Sequence, residues 1–177
     1  MEVFSDIQQV KRHFFALRNG IIADTIRKAG YNYKIIFGLN IPQLKEIAEN
    51  LGKNLDLALK LRENVSTRES LLLAPMIYPV DSLTYDDAFL WAKSCPTTEV
   101  ADVLCHSLLK FSPYAAKLSV EMVMSDNSMH KYLGMRLLLN ISAQISDSIK
   151  SVCRSEVENA TSLRFIANQV LLDKDFE

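Results

Sequence analysis

The sequence predicts an all-α fold of stacked antiparallel helix pairs, and three observations carry that expectation. Apolar residues recur at three- and four-residue steps through most of the chain, the period of a helix with one buried face. Helix-start signals such as Asn54, Ser66-Thr67-Arg68-Glu69 and Ser112-Pro113 fall between the apolar runs. Only five glycines and five prolines occur in 177 residues, few for the tight turns that a hairpin-rich β protein needs.

Each element follows from these signals. Val3, Ile7, Val10, Phe14 and Leu17 place the first helix over Val3 to Asn19, with Gly20 as its C-terminal stop. A second helix runs from Ile21 to Ala29 and closes at Gly30. The stretch from Tyr31 to Ile41, rich in aromatic and apolar residues, is the longest irregular connection. Pro42 suits the first turn of a third helix that reaches Leu51 before Gly52. Asn54 caps a fourth helix carrying Leu55, Leu57, Ala58, Leu59 and Leu61. Ser66 and Glu69 have the spacing of a capping box, in which each side chain satisfies the other's orphan amide, so helix five covers Thr67 to Ile77 and Pro79 ends it.

Helix six spans Thr84 to Lys93, and helix seven runs from Thr97 or Thr98 to Phe111. Ser112-Pro113 reads as an N-cap opening helix eight, which ends near Met124. Helix nine covers Ser128 to Asn140. Two further helices occupy Ser142 to Lys174, with a break near Asn159 to Ser162. Short connections between short helices imply antiparallel neighbours, and pairs of roughly forty residues are the unit of HEAT-type α-solenoids. No linker or low-complexity segment interrupts the series, so a single helical-repeat domain over 1–177 is expected.

Composition narrows the function classes. Hydrophobic residues make up 49% and charged residues 23%, ordinary for a globular chain, and the formal net charge is −1. No apolar run reaches the roughly 20 residues of a membrane span, and Met-Glu-Val-Phe-Ser-Asp is no signal peptide. A soluble, cytoplasmic protein with reduced thiols at Cys95, Cys105 and Cys153 is expected. His13, His106 and His130 lack metal-ligand spacing, and GxGxxG, GxxxxGK[ST] and GxSxG motifs are absent. No metal or cofactor is expected.

The basic residues are unevenly spread. The first 34 residues carry Lys11, Arg12, Arg18, Arg27, Lys28 and Lys34 against Glu2, Asp6 and Asp24, the chain's best candidate for phosphate contact. From Asp81 to Asp126 the balance reverses, with seven acids (Asp81, Asp86, Asp87, Glu99, Asp102, Glu121 and Asp126) against three lysines (Lys93, Lys110 and Lys117). On helix seven, Val100, Val103, Leu104, Leu108 and Phe111 form an apolar face, and Asp102 points the other way with His106 one turn on. That pair reads either as a reactive carboxylate with a neighbour or as a solvated surface pair. On helix nine, Tyr132, Arg136 and Asn140 form one polar column, able to contact phosphates or to pack and reach solvent.

Several segments, in order, carry a family resemblance. Phe37-Gly38-Leu39-Asn40-Ile41-Pro42-Gln43-Leu44-Lys45-Glu46-Ile47-Ala48 resembles the opening of the DNA alkylation-repair family, the HEAT-like AlkD-type alkylpurine DNA glycosylases. Leu57 to Glu69, ending Thr67-Arg68-Glu69, is similar to that family's paired helices. Ala92-Lys93-Ser94-Cys95-Pro96-Thr97-Thr98-Glu99-Val100-Ala101-Asp102 resembles the lead into its catalytic helix, and Ser125-Asp126-Asn127 stands where the family has the same tripeptide. The resemblance spans residues 30–140.

It implies stacked helices around a basic groove that holds double-stranded DNA, with excision of alkylated purines such as 7-methylguanine and 3-methyladenine. The family's catalytic aspartate matches Asp102. Its tryptophan one turn earlier corresponds to Thr98. Its groove arginine falls at Tyr132, with Arg136 one turn later. A further family tryptophan has no match, and Trp91 does not align with it. The resemblance thus implies Asp102 as the catalytic carboxylate, with Thr98 one turn before it and His106 one turn after it by helical spacing. Tyr132, Arg136 and Asn140 on helix nine, and Lys11, Arg12, Arg27, Lys28 and Lys34 in the basic first segment, are the candidate DNA contacts. The alternative from the residues is a non-catalytic helical scaffold that binds a protein or peptide partner.

Overall fold

The computed structural model describes residues 6–174, which form eleven α-helices and two short 3-10 turns, with a single isolated β-bridge. The expected position Val3 lies outside the described residues. The chain divides into two compact units after Ser82, and each is taken in turn.

The first unit holds α1 (Asp6–Ala16), α2 (Gly20–Lys28), α3 (Ile41–Leu51), α4 (Leu55–Glu63) and α5 (Arg68–Ile77). Gly20 does not stop α1. It opens α2, because the Asn19 side chain accepts from the amides of Ile21 and Ile22 and so caps the second helix. Asn54 caps α4 through Leu57 N–H at 3.0 Å, as its position predicts. A capping box does form at the start of α3, between Asn40 and Gln43.

The box expected at Ser66 and Glu69 does not form. Thr67 is the N-cap of α5 without a side-chain cap bond, and Glu69 is wholly buried and turned to the 31–40 connection. Its carboxylate accepts from Phe37 N–H (3.1 Å), Gly38 N–H (2.9 Å) and Leu39 N–H (3.4 Å), and pairs with Arg68 at 3.0 Å. Arg68 in turn donates to Leu39 O at 3.0 Å. A buried loop backbone has no water to satisfy it, so a buried carboxylate serves as its acceptor, at a gain the local box cannot match.

The bridge between Ile35 and Thr67 and the bond from Asn19 N–H to Phe37 O (2.8 Å) tie the same loop down on two sides. Gly38 has φ +82°, and a Cβ there would lie 2.1 Å from Asn19 O, so only glycine fits the crossing. All ten residues of α5 are buried, Pro75 among them, which makes it the central element of this unit.

A 3-10 turn, Val80–Ser82, ends the first unit. The second unit holds α6 (Tyr85–Lys93), α7 (Thr98–Ser107), α8 (Ala115–Val123), α9 (Ser128–Leu138), α10 (Asp147–Glu158) and α11 (Arg164–Lys174). Helix seven stops at Ser107, short of Phe111. The next residues wind into a 3-10 turn, Leu109–Phe111, that leaves Phe111 exposed. Ser112 does not cap α8. Its hydroxyl is buried without a hydrogen-bond partner among the described residues, and the helix opens later, at Ala115 with Tyr114 before it.

Helices α8 and α9 lie in close contact at Gly134, where a Cβ would meet Val123 N at 2.6 Å and Ser119 O at 2.8 Å. Helices α10 and α11 close the unit. Ile149, Cys153, Leu163, Ile166 and Val170 pack on Val123, Met135 and Leu138, each large apolar side chain contributing about 1.5–3 kcal/mol of transfer free energy. All three cysteines are buried and unbridged. Among the described residues no helix is long and apolar enough to cross a membrane.

Candidate nucleic-acid interface

Local chemistry places the polar residues of α7 and α9. Thr97 caps α7 through Val100 N–H at 3.3 Å, and Val100, Ala101, Val103, Leu104 and Cys105 are buried, which leaves Asp102 at the margin of the helix. Asn127 caps α9 by accepting from Met129 and His130 N–H, and Ser125 Oγ accepts from Asn127 N–H at 3.2 Å. The Ser125-Asp126-Asn127 turn therefore fixes where α9 begins. Cys105 Sγ, 3.6 Å from Leu133 O, holds α7 against α9.

The result is a three-residue network. Tyr132 Oη donates to Asp102 Oδ1 at 2.8 Å, and Arg136 Nε donates to the same oxygen at 2.7 Å. Arg136 Nη2 donates to Tyr132 Oη at 3.2 Å, closing the ring of contacts. The side chains of Asp102 and Arg136 are 43% and 31% exposed. Asp102 Oδ2 and Arg136 Nη1 carry no hydrogen bond within the protein among the described residues. One oxygen and one guanidinium nitrogen are thus held in place with their free edges open.

Electrostatics follow the contacts. Partial burial raises the Tyr132 phenol above its usual value. The Arg136 hydrogen bond lowers it and the Asp102 carboxylate raises it, with burial the larger effect. For Arg136, burial acts to lower the pKa, but Tyr132 and Asp102 outweigh it and leave the guanidinium firmly charged. Burial pushes the Cys95 thiol up to about 12 and Cys105 well above its ordinary value, so neither is a nucleophile at neutral pH.

The other expected site residues fall elsewhere. His106 does not meet Asp102. Its Nδ1 lies 3.3 Å from Lys110 Nζ, one turn onward, because Asp102 is held by α9. Thr98 is exposed as the first residue of α7, with Thr97 doing the capping. Asn140 lies just past α9 and bonds Arg136 O through Nδ2 at 2.7 Å, which ends the helix rather than extending the polar column outward.

In the first unit, Lys11 and Arg12 lie exposed on α1, Arg27 and Lys28 end α2, and Lys34 is exposed in the following connection. Arg27 is partnered by Asp24 at 2.9 Å. No group of three or more His, Cys, Asp or Glu side chains able to hold a metal occurs among the described residues.

Sequence reasoning singled out Asp102 and the Tyr132–Arg136 column separately but not their union. Opposite chemistry on two helices of the series, a carboxylate on α7 and a phenol and guanidinium one turn apart on α9, is the signal that would have suggested it. Sequence reasoning also passed over Phe15, which is 57% exposed beside Arg18.

No protein-family model matches the chain, and no curated protein sequence matches it. One solved structure does, described as "A new family of proteins related to the HEAT-like repeat DNA glycosylases with affinity for branched DNA structures". It superposes with a TM-score of 0.76 over 94% of this chain and 74% of that one, at 18% identity. At that identity the likeness is one of fold, and the chain has the HEAT-like helical-repeat fold.

Proposed function

We propose that this protein binds DNA through phosphate contacts, and that Asp102 serves to position Arg136. The observation that carries this reading is the network on α7 and α9, in which Asp102 Oδ1 and Tyr132 Oη hold Arg136 by Nε and Nη2 while Nη1 stays open. A guanidinium fixed on two edges is pre-organised for a phosphate oxygen and loses little side-chain freedom on binding. The exposed Lys11, Arg12, Lys28 and Lys34 add sequence-independent charge. The solved structure of the same fold supports the reading through its described affinity for branched DNA. Phosphates contacted in this way do not require a basic total charge, because distribution decides.

Excision of alkylated purines is the second reading. It is favoured by Asp102 Oδ2, which is open and fixed in direction by the bonds at Oδ1. Stabilising an oxocarbenium-like transition state calls for uncompensated negative charge, and Asp102 already faces Arg136 at 2.7 Å. Thr98 also stands where the resembled family has tryptophan. DNA binding without excision is therefore the better supported of the two. Cytoplasmic DNA is the expected setting.

The test compares affinity for duplex and four-way-branched DNA across a salt series, with release of 7-methylguanine and 3-methyladenine from methylated duplex measured in the same samples. Affinity that falls steeply with salt, without base release, is the expected result. Base release lost in Asp102→Asn would establish the glycosylase instead. Absence of binding to every DNA form at low salt would end both readings and leave a scaffold for a protein partner.

A further inference from the structure

We infer that the outer face of α1 is a stacking site for an unpaired nucleobase, with Phe15 as the platform. This rests on the DNA-binding reading above and names the form of DNA that the first unit takes.

Gln8, Lys11, Arg12, Phe15 and Ala16 line an open groove of about 340 Å³ on this helix. Val10 and Phe14 point into the core and are wholly buried, so the helix's inward face is already used. Phe15 points the other way and is 57% exposed. Its ring is not bare. The Arg18 guanidinium lies 3.8 Å from the ring centroid, and Arg18 Nη1 donates to Phe15 O at 2.8 Å. The Arg18 guanidinium therefore covers one face of the ring, held there by its side-chain hydrogen bond to the Phe15 carbonyl, and a base would stack on the other face.

Charge selects the occupant. Lys11 is one turn before Phe15 and Arg12 lies three residues before it, so both flank the ring on the same helix. Three cations around an exposed aromatic ring match a nucleotide, whose base has a π-face and whose phosphate is anionic. Single-strand binders combine these same elements, a stacking platform inside a positive groove. A paired base has both faces covered by its neighbours and gains little from Phe15. An unpaired one gains a partner. An anionic membrane surface would also meet the three cations, but it requires a broad apolar face. Gln8, Gln9 and His13 interrupt any such face on α1.

The experiment measures affinity of the whole chain for a single-stranded oligothymidylate and for a blunt duplex of equal length, at one salt concentration. The variants are Phe15→Ala and Phe15→Trp. Phe15→Ala is expected to weaken single-strand binding about ten-fold and duplex binding by less than about two-fold. Phe15→Trp is expected to retain single-strand affinity, with tryptophan emission quenched by the oligonucleotide beyond the change seen in the parent.

Equal losses on both DNA forms, or no loss with Phe15→Ala, would overturn the stacking site while leaving the DNA-binding reading intact. No binding of any DNA by the parent would remove both. Binding of phosphatidylserine vesicles by the parent, lost in Phe15→Ala while oligonucleotide affinity is unchanged, would assign the face to a membrane surface instead. Circular dichroism of both variants separates loss of the site from loss of the fold.

Discussion

Arg136 on α9 donates from Nε to Asp102 Oδ1 on α7 at 2.7 Å, across 34 positions of chain. Neither side chain is buried, so solvent screens much of their attraction and an exposed pair of this kind contributes up to about 1 kcal/mol. Its importance lies in direction more than in stability.

That distinction is testable with two substitutions. Asp102→Asn is expected to lower unfolding free energy by about 1 kcal/mol or less in urea titrations. Arg136→Ala is expected to weaken duplex binding several-fold and to reduce the slope of log affinity against log salt by about 1. An unchanged slope in Arg136→Ala would show that no phosphate is held there.

Glu69 predicts a much larger effect. Its carboxylate, wholly buried, accepts three loop amides and faces the buried Arg68. Glu69→Gln removes the buried negative charge that faces Arg68 and weakens the acceptor of three amides, and is expected to cost about 3 kcal/mol by chemical denaturation. A loss under about 1 kcal/mol would mean that the 31–40 loop is held by its apolar contacts, the Ile35–Thr67 bridge and the Asn19–Phe37 and Arg68–Leu39 bonds without help from the Glu69 charge.

Gly134 is a steric prediction. Gly134→Ala pushes a methyl against Val123 N and Ser119 O, both backbone atoms that cannot swing aside. Separating α8 from α9 is expected to cost about 1–3 kcal/mol in thermal or urea unfolding. The same alteration moves Tyr132 and Arg136 on α9, so DNA affinity should fall with it.

Acid sensitivity follows from Glu156. Lys131 donates to it at 2.6 Å and Thr161 does likewise at 2.6 Å, and these bonds hold its carboxyl below its ordinary value of 4.5. A carboxyl lowered in the folded state adds stability that is fully present above the unfolded value and is lost as pH falls through the folded one. Unfolding free energy should therefore decline below about pH 5, and Glu156→Gln should flatten that decline. Parallel profiles for parent and variant would remove Glu156 as the source.

The buried thiols give a simple check on the packing. With Cys95 pushed to about 12 and Cys153 to about 11 by burial, the folded protein should react slowly with a thiol reagent at pH 8. Reaction of all three cysteines should become rapid in denaturant. Rapid reaction without denaturant would place at least one thiol at the surface.

Helix content was legible in the sequence because helices are set by short-range chemistry. Apolar spacing located all eleven, and local caps such as Asn54 and Thr84 act within one turn. Where local signals competed, the sequence misled. Asn19 outranks Gly20 because a side-chain cap at the start of α2 satisfies two amides at once. Ser112 looks like a cap but lies buried, and α8 starts after it.

The sequence by itself determined an all-helical chain with a basic first segment and the carboxylate of Asp102 on α7, because composition, period and capping are properties of neighbours in the chain. Only the tertiary structure decided what the long-range polar groups do. Glu69 has the spacing of a local cap, yet it reaches back 31 positions to Gly38, since a buried loop amide needs an acceptor more than an exposed helix end does. Asp102 has the spacing to meet His106, yet it turns to Tyr132 and Arg136, since a second helix brings two stronger donors to the same oxygen. No one-dimensional pattern specifies which helix will arrive beside which. That depends on side-chain packing, here on a glycine small enough to let α9 close on α8.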